Sequence, residues 1–473
     1  MGPKSFLVGG HWRTSERIKP VINPYTQVSA GEVYQADHAD IAEAIRSAAG
    51  AFETSRGLAA HVRSSILSAI AEGVRGRREE FARMITDETG KPITFARAEV
   101  DRCVFTFTAS AEEAKRQEGS TLPLDLAAGS EGRFGIVRRF PLGPVAAITP
   151  FNFPLNLVAH KVGPALAAGN TVVLKPSSNA PGVALLLAEV IEKSGWISGG
   201  FNVVPCASDE ASQLVENGAI KLLSFTGSPA VGWQLKSRAG KKKVVLELGG
   251  NAGVIVDESA DIADAVPRIV QGGFGNAGQS CISVQRVFVH DRISARFEEL
   301  FLQAVRALIV GNPLDENTVV GPMIDEAAAV KVEGWITEAK NAGATVVCGG
   351  GRKGAVMEPT VLRDVPSGLH VCTEEVFAPL VVIQTFTEFG DAVRAVNNSR
   401  YGLQAGVFSN NLANVLAAYR DLDVGGIVVN DSSSYRMDHM PYGGVKDSGF
   451  GREGVRYAIE EMTEPKLLCL RGM

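Results

Sequence analysis

Four short stretches hold residues whose types and spacing could do covalent chemistry. In Gly278-Gln279-Ser280-Cys281 the glycine lets the chain turn sharply and present a cysteine with little steric cover. A thiolate there is a strong nucleophile near neutral pH; the alternative is a small buried hydrophobe. Glu247-Leu248-Gly249-Gly250-Asn251 sets a carboxylate at the end of an apolar run, directly before two glycines. Partial desolvation would raise its pKa and suit it to general-base work, unless it is a sheet-edge glutamate beside a turn. Thr149-Pro150-Phe151-Asn152-Phe153-Pro154 places an amide at the carboxyl end of a strand between prolines. That amide can donate to a developing oxyanion or open an Asx-turn. Phe225-Thr226-Gly227-Ser228-Pro229-Ala230-Val231-Gly232 runs from a strand into small residues that open a helix. Its backbone N–H groups suit a pyrophosphate, or it is an ordinary capped helix. A further stretch, Gly273-Phe274-Gly275-Asn276-Ala277-Gly278, matches G-x-G-x-x-G by letter. It follows a helical pattern rather than a strand, so we reject it as a dinucleotide fingerprint.

The elements that must position these groups are legible in the periodicity. Helices are expected over 41–55, 62–88 and 96–118, where apolar residues such as Ile66, Ile70 and Val74 recur at helical spacing. From Val145 short apolar runs alternate with helices: strands over 145–148, 171–174, 201–204, 221–225 and 244–248, with helices over 155–168 and 182–194. Such alternation predicts parallel βαβ units in an open sheet. A second run follows Gly250, with strands near Val254, Val287, Val346, Val381, Val407 and Ile427 and helices over 293–308 and 327–342. The fold class is therefore α/β, with two Rossmann-like open parallel-sheet domains. Residues 123–139 and the tail 463–470 read as extra strands forming a small β arm.

The bulk composition narrows the function classes. A chain of 473 residues with 45% hydrophobic and 21% charged side chains buries a sizeable core. A net charge of −5 with no basic stripe speaks against nucleic-acid binding, and Lys241-Lys242-Lys243 reads as a solvated strand edge. Neither a signal peptide nor an apolar run long enough to span a membrane is evident. The six cysteines lie far apart, without disulfide or zinc-site spacing, so no metal is expected and a reducing cytoplasm fits.

Taken together and in order, these stretches resemble the aldehyde dehydrogenase superfamily over essentially the whole chain. The likeness extends through Gly169-Asn170-Thr171-Val172-Val173-Leu174-Lys175-Pro176, Glu374-Glu375-Val376-Phe377-Ala378-Pro379 and Pro441-Tyr442-Gly443-Gly444-Val445-Lys446-Asp447-Ser448-Gly449, with Ala378 where the family usually has glycine. The resemblance implies that Cys281 attacks an aldehyde, that the Asn152 amide and the Cys281 N–H hold the oxyanion, and that Glu247 activates the water that hydrolyses a thioester. It implies an NAD or NADP site. Lys175 would lie at the adenosine ribose, Gly227 and Ser228 at the pyrophosphate, Glu375 at the nicotinamide ribose and Phe377 near the ring, with Thr149 and Phe151 bordering the cofactor. Ser178 stands where strictly NAD-using relatives often carry a glutamate, and so admits NADP. The presence of Glu247 favours hydrolysis over acyl transfer to coenzyme A.

For the substrate, Arg102, His160 and Arg436 hint at an anionic group, and the loop Tyr435 to Met440 with the segment Leu157 to Lys161 resembles the branch acting on lactaldehyde, glyceraldehyde 3-phosphate (without phosphorylation), phosphonoacetaldehyde and sulfoacetaldehyde. Alternatively Arg102 pairs with Glu99, His160 is a satisfied core residue, Arg436 pairs with Asp438, and the aldehyde is neutral. The expected division is 1–122 and 142–249 for cofactor, 250–452 for catalysis, and 123–141 with 453–473 as an oligomerisation arm making a homodimer or homotetramer. Two competing classes are a cysteine hydrolase using Cys281 with a histidine such as His290, and a non-catalytic scaffold relative.

Overall fold

The computed structural model describes residues 2–472, so the terminal methionines of the expected ranges lie outside the described residues. An eight-stranded sheet carries, in spatial order, His11–Arg13, Phe6–Val8, Phe201–Val203, Val172–Lys175, Val145–Ile148, Leu222–Thr226, Lys243–Glu247 and Gly449–Phe450. The strands from Phe201–Val203 to Lys243–Glu247 are parallel, and the edges are antiparallel. They form because they are apolar runs buried on both faces, the pattern of a parallel sheet covered by helices. The helix Asn156–Ala168 is buried at every residue.

Strand order reverses beside Val145–Ile148: the next strands in sequence extend to one side, and Leu222–Thr226 and Lys243–Glu247 lie on the other. In an open parallel sheet the crevice at such a reversal, beyond the carboxyl ends of the strands, is where ligands bind. Asn152, Ser228 and Glu247 all follow or end strands at that crevice.

A second, seven-stranded sheet runs Thr345–Cys348, Thr360–Arg363, Leu380–Phe386, Val284–His290, Ala252–Val256, Gln404–Phe408 and Gly426–Val429, all parallel but the first. It has its own apolar core around Val254, Ile269, Phe274 and Phe297. A three-stranded antiparallel arm joins Ser120–Pro123, Arg133–Pro141 and Thr463–Arg471.

Several boundaries differ from expectation. The segment 62–88 is two helices, Ala60–Gly76 and Arg78–Thr89. Gly76 lowers the cost of leaving the helix, and Arg77 (φ −113°, ψ 24°) fixes the break by bonding Glu80 and Glu189. The next helix, Ile93–Glu113, ends earlier than 118, in tight turns at Lys115 and Arg116. Strand Gly449–Phe450 adds to the first sheet beside Leu246 and Glu247 rather than to the second. Helix Val455–Glu461 packs on Asn156–Ala168, so of the tail only Thr463–Arg471 belongs to the arm, which begins at Ser120.

Candidate active site

Between the two sheets lies a cavity of about 410 Å³ lined by Asn152, Gly227, Ser228, Glu247, Cys281, Glu375, Phe377, Arg102 and Arg436, among others. The first sheet contributes the carboxyl ends of its strands, and the second contributes loops at the amino ends of Val284–His290 and Leu380–Phe386.

Cys281 is delivered by a left-handed run, Asn276 (φ 53°), Ala277 (φ 54°) and Gly278 (φ 67°). A Cβ at Gly278 would fall 2.1 Å from the Ala378 carbonyl oxygen, and one at Gly250 would fall 2.2 Å from the Cys281 carbonyl oxygen. Both glycines are thus required for the cysteine loop to approach its neighbours. Gln279 clamps the loop, donating to the Pro322 carbonyl at 3.2 Å and accepting from the Ile324 N–H at 2.8 Å. The rejected glycine motif is the end of helix Ile262–Phe274 and this turn, and no strand precedes it.

The Asn152 amide donates to the Gln279 carbonyl at 3.1 Å, which ties it to the cysteine loop. That bond uses one of its two amide hydrogens. The Cys281 Sγ lies 3.0 Å from the Tyr442 hydroxyl. Burial pushes the thiol up to about 12, against the Tyr442 hydrogen bond and the Arg436 charge, which lower it. Glu247 is 3% exposed, and neither carboxylate oxygen meets a partner among the described residues. Burial first, then the nearby Glu453 carboxylate, hold its pKa well above the ordinary range. Burial also opposes the charge on Glu453, but Lys161 at 3.0 Å and Arg436 at 3.1 Å overcome it and bring that acid down to about 2. Of the two buried acids, Glu453 is held low by its cationic partners and Glu247 is pushed high by its burial.

At the far wall, Asp438 gathers Arg102 through two bonds (2.6 and 3.1 Å), His160 at 2.8 Å and the Asn156 amide at 3.0 Å. These partners hold its pKa far below the usual range in spite of its burial. Arg102 does not pair with Glu99, which is taken by Lys91 and the N–H groups of Leu155 and Asn156. Arg436 pairs with Glu453 rather than Asp438 and stacks 3.6 Å from the centre of the Tyr442 ring. Arg102 and Arg436 line the cavity. His160 does not: it is 1% exposed behind the wall, kept neutral by burial and by Arg436. The expectation that it touches substrate is corrected to a buried support for Asp438.

His290 sits at the far end of strand Val284–His290, roughly 20 Å along the strand from the cysteine loop at ~3.3 Å per residue. There its Nδ1 accepts from the Arg292 N–H. It cannot serve Cys281 as a base, which removes the hydrolase arrangement considered from the sequence.

The residues present fit a dinucleotide. Ser228 opens helix Pro229–Arg238 without a side-chain cap, so the first-turn N–H groups suit an anion. Lys175, at the end of its strand, is buried. It donates to the Pro176 carbonyl at 3.3 Å and pairs with no carboxylate among the described residues. Burial lowers its pKa; an anion beside it would restore its charge. Ser178 is half-buried in the following turn, and Thr149 is buried with its hydroxyl unpartnered. Glu375 accepts from the Gly250 N–H at 3.0 Å, and burial brings it up to about 7. Phe377 holds a left-handed backbone (φ 54°) and meets Phe151 edge-on with ring centres 6.0 Å apart.

Sequence reasoning assigned no role to Tyr442, Glu453 or Lys161. Tyr442 stood inside a motif already singled out, which was its signal. Glu453 and Lys161 are far apart in sequence, and nothing local marks their pairing.

An open parallel sheet whose strand ends face a cysteine, a carboxylate and an amide suits an enzyme that binds a dinucleotide and works through a nucleophilic cysteine. Comparison with known proteins makes the class specific: the aldehyde dehydrogenase family profile matches residues 12–468, and the chain belongs to that family. It is 46% identical to a 3-sulfolactaldehyde dehydrogenase of Priestia megaterium over 98% of this chain and 97% of that one. Among solved structures it is similar to aldehyde dehydrogenase 21 from Physcomitrella patens in complex with the reaction product succinate, with TM-score 0.98 and 43% identity over 100% of this chain and 99% of that one. It also resembles the glyceraldehyde-3-phosphate dehydrogenase GapN from Methanocaldococcus jannaschii complexed with NADP, with TM-score 0.93 and 39% identity over 97% and 100%. The protein is an NAD(P)-dependent aldehyde dehydrogenase.

Proposed function

We propose that the substrate is a short aldehyde bearing a single negative charge, oxidised to its acid through Cys281. The observation that carries the reading is that two guanidinium groups, Arg102 and Arg436, line the cavity that holds Cys281. A forked cation suits an anionic substrate group such as a carboxylate or sulfonate. A phosphate dianion would bring a second negative charge towards Glu453, which also lines the cavity.

In this reading the Cys281 thiolate attacks the aldehyde carbon, and the Asn152 amide holds the oxyanion. A nicotinamide held beside Glu375 and Phe377 would supply the hydride acceptor. Glu247 then takes a proton from water, which hydrolyses the Cys281 thioester. NADP is favoured by the unpaired Lys175 and by Ser178, which carries no charge to repel a 2′-phosphate; Gly227, Ser228, Glu375, Phe377, Thr149 and Phe151 border the remainder of the cofactor. The strands around 145–247 hold the cofactor, and those after Gly250 carry the nucleophile. The arm makes a homodimer or homotetramer, and the reduced Cys281 suits the cytoplasm.

The test compares 3-sulfolactaldehyde, lactaldehyde and glyceraldehyde 3-phosphate, which share one carbon skeleton and differ in charge. The sulfonate is expected to lead both others in kcat/KM by about tenfold, the equivalent of one modest charge-assisted contact. Arg102→Ala is expected to raise KM for the sulfonate about tenfold and to leave lactaldehyde unmoved. Equal effects on the two would return Arg102 to a structural duty and leave a neutral aldehyde as the substrate.

A further inference from the structure

The Cys281 Sγ is 3.0 Å from the Tyr442 hydroxyl, and the guanidinium carbon of Arg436 lies over the same ring, 3.6 Å from its centre. All three line the cavity. Nucleophile, phenol and cation thus form one stack. The Arg436 Nη2 is anchored on Glu453, while its Nε is buried without a partner. We propose that Tyr442 is a catalytic residue that donates its O–H to the Cys281 thiolate, and that Arg436 is a positioning residue that holds the phenol in place and strengthens it as a donor. This rests on the reading of Cys281 as the nucleophile.

The charges around the sulfur show why such a donor is required. Cys281 is faced by Glu247 from the end of its strand, by Glu375 from the loop before Leu380, and by Arg436 and Tyr442 from the loop before Gly449. Both carboxylates and burial oppose a thiolate, and only the Tyr442–Arg436 stack among these groups favours one. Tyr442 keeps its own proton, because burial and the adjacent sulfur push its ionisation well above the usual range. The phenol is therefore the donor whenever the sulfur is charged. A hydrogen bond to a charged group is worth about tenfold or more in an equilibrium. A cation over an aromatic face draws on the ring's electrons, making the O–H more acidic.

The experiment follows the rate of Cys281 alkylation by iodoacetamide at pH 8 in the full-length protein without substrate, quantified on the Cys281 peptide by mass spectrometry. Tyr442→Phe keeps the ring under Arg436 and removes the O–H. Alkylation is expected to be slowed about tenfold. An isosteric Tyr442→3-fluorotyrosine, with a more acidic O–H and the same packing, is expected to speed it. It also provides the test if the phenylalanine variant does not fold. A rate unmoved in the folded variants overturns the proposal. Retention of turnover by Cys281→Ala would instead overturn the nucleophile reading, so the two failures are distinct.

Discussion

At the residue scale the site turns on which of two buried acids holds a proton. Glu247 has no hydrogen-bond partner among the described residues and burial pushes its pKa up, whereas Glu453 is drawn down between Lys161 and Arg436. A general base acts only when deprotonated, so the hydrolytic step should accelerate as pH rises through the raised pKa of Glu247. Glu453→Gln removes the like charge that helps to raise it and frees Lys161 and Arg436 to stabilise the ionised form. The alkaline rise of kcat is therefore expected to move to lower pH. Glu247→Gln is expected to lower steady-state turnover by about 10²–10⁴ while sparing the first burst of reduced cofactor at 340 nm. Loss of the burst as well would place Glu247 before the thioester. Cys281, Glu247 and Asn152 could be singled out in the sequence because each is a polar side chain set among glycines, prolines and apolar strands, although each alone also had a structural reading. Glu453 was not, since a buried acid is intelligible only through its partners, and Lys161 reaches it across the fold. His160 was misread for the same reason: its partner Asp438 is distant in sequence.

At the element scale the parallel strands were legible because burial on both faces leaves continuous apolar runs, and their alternation with helices leaves few topologies. Helix ends were less legible, because they depend on tertiary bonds. The break at Arg77 needs Glu189 from another helix. The start of helix Pro181–Lys193 likewise has no cap of its own; the buried Glu88 of another helix accepts from the Gly182 and Val183 N–H groups at 3.0 and 3.3 Å. Burial raises the Glu88 carboxyl to about 8, against these two bonds, which lower it. The sign follows directly. The folded state binds this proton more tightly than the unfolded chain, whose carboxyl has an ordinary pKa near 4.3. The stability from Glu88 is complete below that value and is lost as pH rises towards 8. Glu88→Gln keeps an acceptor for the helix N–H groups and has no proton to lose. Its melting temperature is expected to fall less than that of the wild type between pH 5 and pH 8.5. A parallel decline in both proteins would show that Glu88 is ionised throughout.

At the scale of the whole molecule, the arm is the element that the single chain leaves unfinished. Strand Thr463–Arg471 pairs along its full length with Arg133–Pro141 on one side and lies at the edge of its three-stranded sheet. Successive strand residues point to opposite faces, and Leu467 and Leu468 are 53% and 54% exposed. Each face of the arm thus carries an uncovered leucine, with Leu122, Leu126 and Phe140 exposed nearby. An open edge with exposed apolar residues invites pairing with another chain, and a closed symmetric assembly is the usual way to cover it. Light scattering on the wild type is expected to give a mass that is a multiple of the 50.0 kDa chain. Leu467→Asp with Leu468→Asp places a charge on each face and is expected to shift the protein towards single chains. Cys281, Glu247, Asn152 and the residues around them all come from one chain, so the dissociated variant should still bind NADP, even if its melting temperature falls. A wild type already at 50.0 kDa would mean that the arm is covered by something other than a second copy. An assembly untouched by the charges would move the interface elsewhere on the molecule.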